Sequence, residues 1–227
     1  MRTDAFKVVR EFEQALCEYT GAPFAVAVSS CTMALLLAVA YHLRKVPLRD
    51  RPWVGRPSVQ IPKRTYVSVP MSIIHAGARP TFREEAWRGA YRLEPLPVWD
   101  SAKRLRRYMY DHATEWNDPD ANQDAPGLKG EMVCLSFHWS KILGIQQGGA
   151  ILHGEPTADE WLRRARYDGR KEGVPPAQDL FTFAGWHAYM SPEIAAEGLV
   201  RMQFLPDYND DLPNDDYPDL STMEVFR

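Results

Sequence analysis

A chain of 227 residues, 45% hydrophobic and 25% charged, has the composition of an ordinary globular protein and is long enough for one sizeable α/β domain. Its three cysteines, Cys17, Cys31 and Cys134, are spaced for neither a disulfide framework nor a metal site, which points to a reducing, cytoplasmic home. The net charge of -3 hides an asymmetry: Pro206 to Arg227 holds seven acidic residues and one arginine, a net of -6, leaving the rest at +3.

Phe6, Val9, Phe12, Leu16 and Tyr19 recur at helical spacing, and Gly21 with Pro23 ends that helix. Phe24 to Ser29 reads as a short strand and Thr32 to Arg44 as a buried helix. The apolar run Met33 to Tyr41 inside it is too short to span a bilayer, and no charged-then-apolar leader opens the chain. Prolines break Val46 to Pro62 into loop. Thr65 to Val69 reads as a strand, Met71 to Ala76 as a helical piece, and Ala78 to Phe82 and Leu96 to Trp99 as strands. Ala102 to Tyr110 reads as helical, Met132 to Phe137 and Ala150 to Leu152 as strands, and Ala158 to Tyr167 and Ser191 to Leu205 as helices. Strands alternating with helices imply a layered α/β architecture. The tail after Leu205, rich in Asp, Asn and Pro, reads as an extended or disordered segment rather than a helix.

Four stretches could carry chemistry. Ser136-Phe137-His138-Trp139-Ser140-Lys141, followed by Gly148-Gly149-Ala150, sets a lysine between a strand and a glycine-rich segment. Such an amine is a surface lysine, an anchor for phosphate or carboxylate, or the Schiff-base lysine of a pyridoxal phosphate (PLP) enzyme. Ser29-Ser30-Cys31-Thr32 joins a strand to a helix and either caps that helix or offers hydroxyls and backbone N–H groups to a phosphate. Asp100, at a strand end, either caps the next helix or pairs with a protonated pyridine nitrogen. Tyr66 could stack on a ring or belong to the core. His138 and His187 are too isolated to indicate a metal, and no metal is expected. The basic runs Lys103 to Arg107 and Arg163 to Arg166 suit a solvated face, a phosphorylated ligand or nucleic acid; the acidic tail makes nucleic acid an unfavoured partner.

Together these segments resemble the DegT/DnrJ/EryC1/StrS aminotransferases, which aminate nucleotide-linked keto sugars with PLP. The blocks are Phe12 to Leu35, Thr65 to Phe82, Asp100-Ser101-Ala102, Ser136 to Ala150 and Gly185 to Ala196, in the family's order. The resemblance implies a three-layer α/β PLP-transferase large domain over residues 1–205, reduced in size, with a mostly parallel sheet. Residues 206–227 would form the acidic extended or disordered tail where members have a second domain. It makes Lys141 and Asp100 catalytic, with Ser30, Cys31, Thr32, Tyr66, Lys103, Ser136 and His187 beside them around the cofactor. Arg170, His138 and Tyr189 become substrate-binding candidates. The implied reaction passes an amine, glutamate being the expected donor, to a keto sugar, in a homodimer whose sites are completed across the interface. Departures are Cys31 for glycine, Lys103 for glutamine or histidine, His187 for asparagine, Tyr189 for arginine, and a short link from Phe82 to Asp100. Other readings are a non-transaminating PLP enzyme such as a sugar dehydratase, or an inactive PLP-fold binding or assembly protein. The compactness hints at a virus-encoded or otherwise streamlined gene.

Overall fold

The computed structural model describes residues 4–44, 56–111 and 130–227. Helix α1 (Lys7–Thr20) closes on Gly21, whose left-handed backbone (φ 78°) returns an N–H to the Cys17 carbonyl. Strand β1 (Phe24–Val28) leads to α2 (Cys31–Arg44), then β2 (Ser58–Pro62), α3 (Ser68–His75), β3 (Arg79–Arg83), β4 (Tyr91–Arg92), β5 (Val98–Ser101), β6 (Met132–Ser136), β7 (Gly149–His153), α4 (Pro156–Ala165) and α5 (Pro192–Met202).

Alternation along the strands builds the three layers. Val26, Val28, Met132, Cys134 and Ile151 face one way, onto α2, which α3 and α4 flank. Ala25, Ala27, Val133, Leu135 and Leu152 face the other way, onto α1 and α5. Helix α2 is apolar nearly all round because it lies between the sheet and α3 and α4.

The main sheet has the order β1-β7-β6-β5-β4, and β2 pairs with β3 beside it. The expected mostly parallel sheet is mixed: only β5–β6 and β2–β3 are parallel pairs, while β1–β7, β6–β7 and β4–β5 are antiparallel. A bridge between Gln60 and Glu94 joins the two sheets. The short link after Phe82 thus becomes β4, which runs against β5 and sets Tyr91 opposite Asp100.

Three local expectations change for physical reasons. Thr65 to Val69 is not a strand; Pro70 sits in the first turn of α3, where no N–H is required of it. Ala102 to Tyr110 forms turns instead of a helix, because its N–H groups go elsewhere: Tyr108 to the Tyr19 carbonyl, Tyr110 to Thr20 and Arg107 to Asp207. Within Val46 to Pro62, residues 56–62 include β2, whose Val59 and Ile61 are buried; residues 46–55 lie outside those described. Pro206 to Arg227 runs extended over the domain, with two short 3₁₀ turns, and buries Leu220 and Phe226. We call it the strap.

Candidate active site

The ends of β1, β5 and β6 and the start of β7 meet at one edge of the sheet. There they open on a cavity of about 340 Å³, a size that admits a small molecule. The first wall comes from local chain geometry. Ser30 Oγ accepts the N–H of Met33 at 3.2 Å and starts α2, leaving Cys31 and Thr32 in its first turn, where backbone N–H groups have no helical partner. Gly149 makes this approach possible: a Cβ there would stand 2.6 Å from the Cys31 nitrogen. Cys31 Sγ points at the Cys134 carbonyl (3.9 Å), and burial pushes its thiol well above the ordinary range. Thr32 Oγ1 meets Ser68 Oγ at 2.9 Å.

Asp100 forms the floor. Its Oδ1 accepts the Ala102 N–H at 3.0 Å and its Oδ2 the Tyr91 hydroxyl at 2.8 Å; Thr65 Oγ1 lies 2.6 Å from that hydroxyl. Burial raises the carboxyl's pKa, while the Tyr91 and Ala102 hydrogen bonds and the charge of Lys141 pull it back.

Lys141 comes from a loop nailed down by buried Phe137, Leu143 and Ile145, with Phe137 and Ile145 N–H groups bonded to the Gly148 and Phe137 carbonyls. Partial burial lowers the pKa of its amine, helped by the nearby Lys103 charge and opposed by Asp215 and Asp100.

The opposite wall is the strap. Lys103, only 3% exposed, donates to Asp215 Oδ2 at 3.0 Å and to the Pro213 carbonyl. Asp215 also accepts the Tyr217 hydroxyl at 2.8 Å, and Tyr217 stacks on Trp87 with ring centroids 6.2 Å apart. Beyond the cavity Arg104 grips Asp211 through two bonds of 2.9 and 2.6 Å, both side chains buried. Arg107 pairs with Asp207 and Lys63 with Asp219. The first basic run is thus taken up by the strap. The second is also paired internally: Arg163 with Glu13 at 2.6 Å and Asp159 at 2.7 Å, Arg164 with Asp179 at 3.6 Å, and Arg166 with Glu13.

Of the residues singled out in the sequence, Ser30, Cys31, Thr32, Tyr66, Asp100, Lys103, Ser136, His138 and Lys141 line this cavity. Arg170, His187 and Tyr189 do not. Their segment is held elsewhere by bridges from Tyr189 to Val28 and from His187 to Tyr167. His187 Nδ1 meets Asp168 at 3.0 Å, Tyr189 packs edge-on against Phe6, and the Arg170 guanidinium lies over Tyr167. Sequence reading missed Tyr91, Trp87, Asp215 and Tyr217, none of which stands in a motif. The one available signal was that an acidic tail and a basic run are complementary. Among the described residues no group of three metal-ligating side chains occurs, and no helix is long and apolar enough to cross a membrane.

Residues 2–86 match the DegT/DnrJ/EryC1/StrS aminotransferase family. That match takes in two of the five blocks read from the sequence, Phe12 to Leu35 and Thr65 to Phe82. The chain is 24% identical over 222 residues to GDP-perosamine synthase of Caulobacter vibrioides, covering 87% of this chain and 57% of that protein. It therefore spans little more than half the length of this curated relative. Helicobacter pylori PseC, an aminotransferase of pseudoaminic acid biosynthesis, superposes with a TM-score of 0.63 at 17% identity, over 91% of this chain and 64% of that one. A GDP-4-keto-6-deoxymannose-3-dehydratase superposes with 0.62 at 16% identity, over 88% and 61%. These likenesses establish the α/β fold of the PLP-dependent aminotransferases.

Proposed function

We propose that the cavity binds PLP and that the protein transfers an amino group from an amino acid, glutamate first among candidates, to a nucleotide-linked keto sugar. The observation that carries this is the convergence of a Lys141 amine and a buried Asp100 carboxylate on one cavity whose rim is a helix N-terminus flanked by hydroxyls.

The donor set fits the group. The first turn of α2, with Ser30, Thr32 and Ser136, offers N–H and O–H donors to a phosphate dianion. Each Asp100 oxygen holds one hydrogen bond, which leaves acceptor capacity for a protonated ring nitrogen. Tyr66, 59% exposed at the cavity wall, offers a ring face to a planar ligand. Bound there, PLP supplies the electron sink that acidifies the donor's Cα–H and carries nitrogen between the substrates.

Lys141 holds the cofactor and afterwards moves the proton at the donor's Cα; its lowered pKa enlarges the neutral, basic fraction of the amine. Asp100 keeps the ring nitrogen protonated, and Tyr91 keeps Asp100 oriented and ionised. Over the cycle the amino acid leaves as a 2-oxo acid and the keto sugar as an amino sugar, an exchange of one amino group and hydrogen for one oxygen.

A two-fold dimer in the cytoplasm belongs to this reading. Arg170, His187 and Tyr189, outside their own chain's cavity, would then serve the partner's; exposed Leu180 and Phe181 nearby in sequence support such a contact. The test is the absorption spectrum with added PLP, before and after glutamate. A visible cofactor band that is absent in Lys141→Ala and is converted by glutamate is the expected result. No band at saturating PLP overturns the proposal.

A further inference from the structure

The strap presents to the cavity a carboxylate that is fixed on one side and open on the other. Asp215 Oδ2 accepts from both Lys103 Nζ and the Tyr217 hydroxyl, at 3.0 and 2.8 Å. Its Oδ1 takes no hydrogen bond among the described residues, and the side chain is 69% exposed at the cavity wall. Tyr217 is itself immobilised, stacked on Trp87 and tied by its carbonyl to Arg64 at 3.1 Å. Trp87 donates to the Arg64 carbonyl at 2.9 Å and packs edge-on against Tyr91, so the strap and the Asp100 floor share one scaffold. The strap cannot easily drift, since the buried Arg104–Asp211 pair and the Leu220 N–H to Lys63 carbonyl bond pin it on both sides of Asp215.

We infer that Asp215 is the specificity-determining group of the site: its free Oδ1 accepts a hydrogen bond from a ring hydroxyl of the amine acceptor. This rests on the aminotransferase reading and names its acceptor as a hydroxylated sugar, presenting donors rather than an anion to the strap. The charges require that choice. Lys103 is already compensated by Asp215, so a ligand carboxylate or phosphate at this wall would meet the open Oδ1 of a paired carboxylate, an acceptor like itself, instead of a free cation. A hydroxyl meets an acceptor whose orientation is already set, which makes the bond charge-assisted at little ordering cost. The anionic part of a nucleotide-linked sugar has then to lie away from the strap.

The experiment compares acceptor half-reactions of the glutamate-treated holoenzyme with GDP-4-keto-6-deoxymannose and with analogues each lacking one ring hydroxyl. In the wild type one hydroxyl should be worth on the order of tenfold to a hundredfold in kcat/KM. In Asp215→Ala that preference should collapse toward one, with Asp215→Asn, which keeps the shape and a weaker acceptor, in between. A merely structural role would lower the rates with all analogues together and leave the preference intact, which would overturn the inference. So would a wild type that converts glutamate yet shows no hydroxyl preference or turns over none of these sugars. A wild type with no cofactor band removes the aminotransferase reading and this inference with it.

Discussion

The two walls of the cavity are made in different ways. The sheet-edge wall is built by the backbone: strand ends, the first turn of α2 and a buried loop put Ser30, Asp100, Ser136 and Lys141 in place. The strap wall is built by charge, with Lys103, Arg104, Arg107 and Lys63 holding four aspartates of an otherwise irregular segment. The first wall holds its geometry through packing, which changes in solution conditions barely touch. The second depends on ion pairs, most of them partly exposed, and only Arg104–Asp211 is fully buried.

The largest effect is expected at the floor. Under the proposed aminotransferase function, Asp100→Ala should reduce steady-state turnover of glutamate on the order of a thousandfold, because a preorganised charge beside the cofactor ring would be lost. Next comes the strap's buried anchor. Arg104→Met removes two charge-assisted hydrogen bonds from the buried Asp211, leaving it only the 3.2 Å contact with Arg106, and should cost about 3 kcal/mol in urea unfolding, far more than loss of any exposed pair. Within the first wall, Gly149→Ala drives a methyl against the Ser30–Cys31 backbone and should destabilise by about 2 kcal/mol, with weakened PLP binding by titration. Trp87→Leu, which removes the stack under Tyr217, should cost about 1 kcal/mol in the same urea unfolding.

Acid separates the two walls most gently. Asp215 is held below the usual carboxylate range by Tyr217 and Lys103, and Asp219 is held down to about 2 by Ser221 and Lys63. Their folded pKa values are lowered, so their contribution is complete above the free-carboxylate range and is lost as pH falls toward about 2. Asp100 is shifted the opposite way by burial, so its protonation on acidification relieves a cost of the folded state. Tryptophan fluorescence should therefore report strap release from Trp87 at acid pH before the far-ultraviolet circular dichroism of the sheet changes.

Much of the first wall was legible in the residues. Helical spacing marked α1 and an apolar run marked α2, and the small polar residues at strand ends marked Ser30, Asp100 and Ser136, because those positions are set by local chain geometry. Lys141 stood out by its place between a strand and glycines. The strap wall was not legible: an Asp-, Asn- and Pro-rich tail has no periodicity, and its partners lie about a hundred residues away. The turn over Ala102 to Tyr110 was misread for the same reason, since its N–H groups are claimed by the end of α1 and by the strap.

The layered α/β order and the lysine, aspartate and hydroxyls of the sheet edge were therefore written in local sequence, since they depend on neighbours a few residues apart. Three features arose only on folding: the mixed sheet, the placing of Tyr91 against Asp100 by β4, and the turn of the acidic tail toward the cavity. Those outcomes depend on hydrogen bonds and ion pairs between distant segments, whose energies appear only once the chain has folded and removed them from water.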